Sequence, residues 1–243
     1  MAKAKKKEEE ATEVVAVPEP MPPATVAGDD GFVGFEQEDL VIPRLRIAQP
    51  TNRQDWTPGK FYESLSDESF EKLEGVVALR LNKSRVWFEE SGDQPTCASD
   101  DFIKPSPRIE NPVAPFCGDC PNSQWGVDRT PPICNETWNF LLVHGGMPYH
   151  IAFSSSALAN TRKLVTALFL RAKQLKKPLW GFQFDIGLKK VEFARGVAYM
   201  PTFSNVKPVD DVAGYGEMHA TFTQRDNVKV DGVDGAFPFG ENE

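Results

Sequence analysis

Between Ser91 and Pro132 the chain runs for about 40 residues with eight prolines, several Asp and Asn, and almost no hydrophobic periodicity. A stretch of that length without regular structure does not belong in a compact domain unless something other than a core orders it. All four cysteines of the protein lie in or beside it, in the spacing Cys97-x19-Cys117-x2-Cys120-x13-Cys134. The x2 pair lets two sulfurs of one tight turn meet the same ion, and two single cysteines complete a tetrahedral shell. Thiolates are soft ligands that favour zinc over magnesium or calcium. The sequence therefore predicts one closed, structural zinc site on Cys97, Cys117, Cys120 and Cys134, which orders a segment lacking its own core. Free thiols, a disulfide pair and an iron–sulfur cluster are the competing readings of the same cysteines.

The remainder is composed like a globular protein, with 40% hydrophobic and 11% aromatic residues. The basic start Met1-Ala-Lys-Ala-Lys-Lys-Lys has no apolar stretch behind it, so no secretory signal is expected. No apolar run reaches the roughly 18–20 residues that span a bilayer. A soluble protein in a reducing cytoplasm is expected, where disulfides are disfavoured.

Residues 1–30 are Lys/Glu-rich and then Pro/Ala/Val-rich, and are expected to be a disordered arm. From Phe32 strand patterns begin. Residues 39–47 suggest an edge strand around Pro43, and residues 73–88 a long strand with Val77, Leu79 and Leu81 on one face. Thr137–His144, Gly145-Gly146 and Pro148–Phe153 predict a hairpin. Ser154–Ser156 offer caps for an amphipathic helix over about 156–176. Strands over 179–186 and 191–200 follow, joined through Gly187-Leu-Lys-Lys190. The domain is thus expected over 31–206, with an insertion at 91–136 and an acidic flexible tail from 207 to 243. Such a set suits a β-rich α+β fold, a small barrel or sandwich with one helix.

The net charge of −8 hides a strong asymmetry. Residues 31–150 carry −7, while 151–206 carry +7, and no acid occurs between His150 and Phe184. Arg162, Lys163, Lys173 and Lys177 share one side of the expected helix, outside its apolar arc, as a phosphate-tracking surface would. A solvated face paired with acids elsewhere explains the same residues. Trp180, Phe182 and Phe184 alternate, flanked by Lys177, Lys189, Lys190 and Arg195, and Lys83, Arg85 and Trp87 repeat the mixture on the earlier strand. Such rows fit a platform on which unpaired bases stack, or simply core.

The tail ends in Ala236-Phe-Pro-Phe-Gly-Glu-Asn-Glu243, with net −4 from Asp226 onward. It resembles the acidic, Phe-containing tips of bacterial single-stranded DNA-binding proteins, which implies partner recruitment through Phe237 and Phe239. Here the last residue is Glu243, a departure from that family's tip. Together, basic aromatic strands, one cysteine-bound metal and an acidic tail resemble the zinc-containing helix-destabilising proteins of tailed bacteriophages. The segment Cys97, Cys117-Gly-Asp-Cys-Pro121, Trp125-Gly126 and Cys134 also resembles one found in uncharacterised phage proteins. The resemblance implies an OB-like barrel and a non-enzymatic protein that binds single-stranded DNA in phage-type replication or recombination. The other expectation is a zinc-ordered adapter or transcription cofactor docking on a polymerase. His144, His150 and His219 sit in no catalytic motif, and no phosphate loop or nucleophile elbow is present.

Overall fold

The computed structural model describes residues 41–51, 55–89, 95–194, 196–223 and 229–230. The arm at 1–30, Arg195, Phe237 and Phe239 lie outside the described residues. The strands are β1 (Val41–Ile42), β2 (Arg44–Ile47), β3 (Phe61–Glu63), β4 (Ser69–Phe70), β5 (Leu73–Trp87), β6 (Cys97–Ser99), β7 (Asn135–His144), β8 (Met147–Ser154), β9 (Phe182–Phe193), β10 (Gly196–Pro208) and β11 (Lys229–Val230). The helices are α1 (Leu158–Leu175) and α2 (Val212–Thr223). Nine strands make one curled sheet in the order β10-β9-β5-β7-β8-β2-β3-β4, with β6 added to the far end of β5. β1 and β11 pair separately. The fold is strand-rich α+β, as the sequence suggests.

The hairpin β7–β8 turns at Gly145 and Gly146, both with positive φ (59° and 84°), which is the backbone that matches strand twist. Along β7, Phe140 and Leu142 enter the main core with Phe61, Val76, Ile151, Phe153, Phe182 and Phe184. Leu141 and Val143 point the other way and pack with Leu79 and Ile42. Both faces of this strand are covered, so it reads as a continuous apolar run rather than an alternation. α1 covers the inner face through Leu164 and Leu168. Trp180, Tyr215, Met218 and Phe222 cover the outer one.

Several expectations are corrected. β2 lies between β3 and β8 rather than at an edge, and Pro43 sits in the break between β1 and β2, its carbonyl accepting from His150 N. In β5 the register slips between Ala78 and Arg80, so the face flips and Leu81 joins the main core instead of the Leu79 side. Gly187–Lys190 is inside β9, and the strand reverses where Phe193 pairs with Gly196. None of Ser154–Ser156 caps α1: a 3-10 turn precedes it, and Ser156 Oγ turns to Met200 Sδ. Lys176 ends the helix in the left-handed region, two residues before Pro178. The acidic region from 207 begins as structure, since β10 reaches Pro208 and α2 docks on the sheet. Asp211 Oδ1 accepts the Gly214 N–H, an N-cap for α2.

Candidate nucleic-acid interface and cysteine cluster

β10 is an end strand, and its outer edge faces the segment after β2. There Gln49 stands in for a strand residue. Its side-chain amide donates to Tyr199 O at 2.8 Å and accepts from Tyr199 N at 2.8 Å, so a single amide ties β10 to the segment after β2. Asn160 of α1 adds a bond to Pro201 O at 2.9 Å. Gly59, at φ 89°, lies against the Tyr199 ring; a Cβ there would sit 2.5 Å from Cε1, so the close approach requires glycine.

Beside this seam lies a groove of about 1040 Å³. Arg44, Arg46, Phe193, Tyr199 and Ser154–Ser156 contribute to it, and no Asp or Glu is among the described residues that line it. Phe193 is half exposed. Arg46 Nε is buried with no hydrogen-bond partner. Tyr199 pairs across the ladder with the exposed Lys190, and Met200 with Lys189. His150, paired with Arg44 in the β2–β8 ladder, is fully buried; burial, reinforced by the Arg44 charge, pushes its pKa down to about 3. Its ring is therefore neutral and serves the sheet.

The sequence-predicted interface residues do not form one surface. Lys163 and Lys173 are exposed on α1, Lys173 over the ring of Phe169, while Lys177 is half-buried against Gly181. Arg162 instead pairs with Glu136 at 3.3 Å. Glu136 also takes Lys83 at 3.8 Å and the Trp138 indole N–H at 2.6 Å. Lys83 lies over the Trp138 and Phe102 rings, and Arg85 over Phe102 at 4.1 Å. Trp87 is half-buried and pairs with Cys97. Phe182 and Phe184 are completely buried, whereas Trp180 is in a 3-10 turn on the opposite side, stacked on His219 at 4.0 Å. The aromatic row is thus divided between two cores. Gly216, whose Cβ would meet the Trp180 indole nitrogen at 3.3 Å, lets α2 come this close.

All four cysteines are buried and none is in a disulfide. The Cys117–Cys120 turn is closed by Cys120 N to Cys117 O, and Ser123 Oγ donates to both carbonyls. Cys134 N reaches Asn122 O at 2.8 Å. Burial pushes the Cys134 thiol up to about 11, with Arg85 opposing and the other three cysteines adding. Burial likewise raises Cys97, opposed by a backbone bond from Val113, with Cys117 and Cys120 contributing. The four thiols thus feel one another, yet among the described residues no three His, Cys, Asp or Glu side chains stand in a metal-holding group as placed.

Comparison with protein-family models, with curated proteins and with solved structures finds no match. The groove residues Arg44, Arg46, Phe193 and Tyr199 escaped the sequence reading because about 150 residues separate the strands that bring them together. Among the described residues, no helix is long and apolar enough to cross a membrane.

Proposed function

We propose that this protein is a non-enzymatic binder of single-stranded DNA, built on an OB-like barrel, that takes the strand in the groove beside the Gln49–Tyr199 seam. The observation that carries this is the groove's lining: two arginines, three aromatic rings, three serines and, among the described residues, no carboxylate, in a chain of net charge −8. An acidic protein repels a polyanion over most of its surface, so a carboxylate-free groove is where phosphates are tolerated. Arg44 and Arg46 suit phosphates, Phe193 offers a ring for an unstacked base, and the serine hydroxyls suit sugar or phosphate oxygens. Lys189 and Lys190, exposed on β9 opposite Met200 and Tyr199, add positive charge on that strand, and Lys163 and Lys173 add charge on α1. Phage-type replication or recombination is the setting the resemblance implies, and Phe237 and Phe239 are the residues through which a partner enzyme would be recruited.

One observation favours the adapter reading. Trp125 and Val127, in the cysteine segment, are 68% and 103% exposed, as docking residues for a polymerase would be. Fluorescence anisotropy with a labelled oligonucleotide separates the two. DNA binding in the groove gives affinity that falls steeply between low and moderate salt, and single-stranded competitor displaces the probe far better than duplex. Absence of salt-dependent binding would hand the lead to the adapter.

A further inference from the structure

The turn between β3 and β4 is fixed from below by a carboxylate. Glu63, only 6% exposed, accepts the Leu65 N–H at 2.7 Å, the Ser66 N–H at 2.9 Å and the Ser66 hydroxyl. Its own N–H donates to Glu68 O, and its carbonyl accepts from Asp67 N, which holds Asp67 in the left-handed region at φ 56°. The tip so fixed displays Leu65, 59% exposed. Asp67 and Glu68 are exposed beside it and enter no salt bridge among the described residues, whereas Glu71 and Glu74 are taken by Lys60 and Lys72. A tip ordered in advance loses little entropy on contact. A large apolar side chain beside two unpaired acids suits a partner that is basic and partly apolar.

The chain carries such a surface itself. On the side of α1 away from Leu164 and Leu168, Phe169 and Leu170 are 59% and 60% exposed. Lys163 and Lys173 share that side, exposed and in no salt bridge among the described residues. No Asp or Glu occurs between His150 and Phe184 to balance them. A helix face that only needed solubility would mix both signs of charge and carry few large apolar side chains.

We propose that the β3–β4 tip of one copy of this chain docks on the outer face of α1 in a second copy, with Leu65 against Phe169 and Leu170 and the two acids facing Lys163 and Lys173. The division of charge sets the direction. Residues 31–150 carry −7 and residues 151–206 carry +7, so like faces repel and unlike faces attract. The contact is therefore head-to-tail, and copies add in a line or a ring rather than as one symmetric pair. A hairpin tip on one helix face is a small interface, below about 1,200 Å², so the association is weak and reversible. It is independent of what the groove binds.

The test is sedimentation velocity on the full chain, nuclease-treated and without oligonucleotide. Mass is expected to rise past the dimer with protein concentration at low salt, and to fall back toward the monomer as salt is added. Leu65→Lys, and separately Phe169→Gln with Leu170→Gln, alter exposed positions and should keep the wild-type circular dichroism. Each should weaken association by about tenfold or more. Mixed in equal amounts they should form a dimer and nothing larger, because one copy keeps its helix face and the other its tip. Glu68→Lys, which leaves Leu65 in place, should weaken association through charge alone and serves if Leu65→Lys does not fold. A wild type that stays monomeric throughout would overturn the proposal. Association that survives both Leu65→Lys and Glu68→Lys would do the same, since α1 would then be covered by another segment, such as the acidic tail. A mixture that stays monomeric would also overturn it.

Discussion

On β7 the consecutive side chains Phe140 to Val143 are at most 2% exposed, while fewer than twenty residues earlier Trp125 and Val127 stand in water. The sheet satisfies its backbone through ladders and buries apolar side chains on both faces. The segment from β6 to β7 has a three-residue strand, one 3-10 turn and hydrogen bonds shared between isolated backbone turns and Asp, Ser and Arg side chains. One region is held by area removed from water, the other by a few polar links and four sulfurs. Each should therefore fail under a different insult.

The largest effect expected is that of a strong chelator on the segment. If the four cysteines hold the zinc that their spacing predicts, its removal should let a protease cut within residues 101–133 under native conditions, since metal binding energy would then be folding energy there. The β7–β8–β9 region should resist, as mass spectrometry of the fragments will report. Simultaneous digestion of both regions would mean that the sheet too depends on the metal.

Next comes the sheet's own weak point. Phe184→Ala, at a completely buried position of β9, should cost about 3–5 kcal/mol in chemical denaturation. Protease resistance of residues 101–133 in the surviving folded fraction should not change.

A smaller effect follows from pH. His150 titrates at about 3 in the folded sheet, below the ordinary 6.5, so the unfolded chain takes the proton first. That contribution to stability is complete above about pH 6.5 and is lost as pH falls toward 3. Asp185 lies below the usual carboxylate range: burial would raise it, but the Gly75 N–H, the Asn205 amide and Lys72 outweigh that. It adds a second loss at more acidic pH. Denaturation midpoints should decline between pH 7.5 and 5, and His150→Gln should flatten that decline. Least affected is the segment's surface: Trp125→Ser should move the midpoint by no more than about 0.5 kcal/mol.

The parts legible in the sequence were those dictated by local chemistry. Gly145-Gly146 between two apolar runs can hardly be anything but a hairpin turn, and the period of α1 places Leu164 and Leu168 inward. What escaped depends on tertiary structure. The slip at Leu79 reversed the face of Leu81, and no local feature of residues 76–81 announces it. Trp180 looked like the first member of an alternating row because Pro178 and a 3-10 turn keep it out of the strand by only two residues. α2 was obscured by Gly214, Gly216 and its acidic flanks; it is held by packing on Trp180, although Asp211 was a capping signal in plain view. The cysteine turn was legible from spacing. The groove was not, because Gln49 and Tyr199 meet only once the sheet curls.

The most direct test of the groove is the salt dependence of oligonucleotide binding in Arg46→Gln and Phe193→Ala, measured beside the wild type by anisotropy. If DNA lies along the seam, Arg46→Gln lowers affinity for every sequence alike and flattens the slope of log K against log salt by roughly 0.7. Phe193→Ala weakens binding by about 1–3 kcal/mol and leaves the slope unchanged. Wild-type affinity and slope in both folded variants would contradict a strand in this groove.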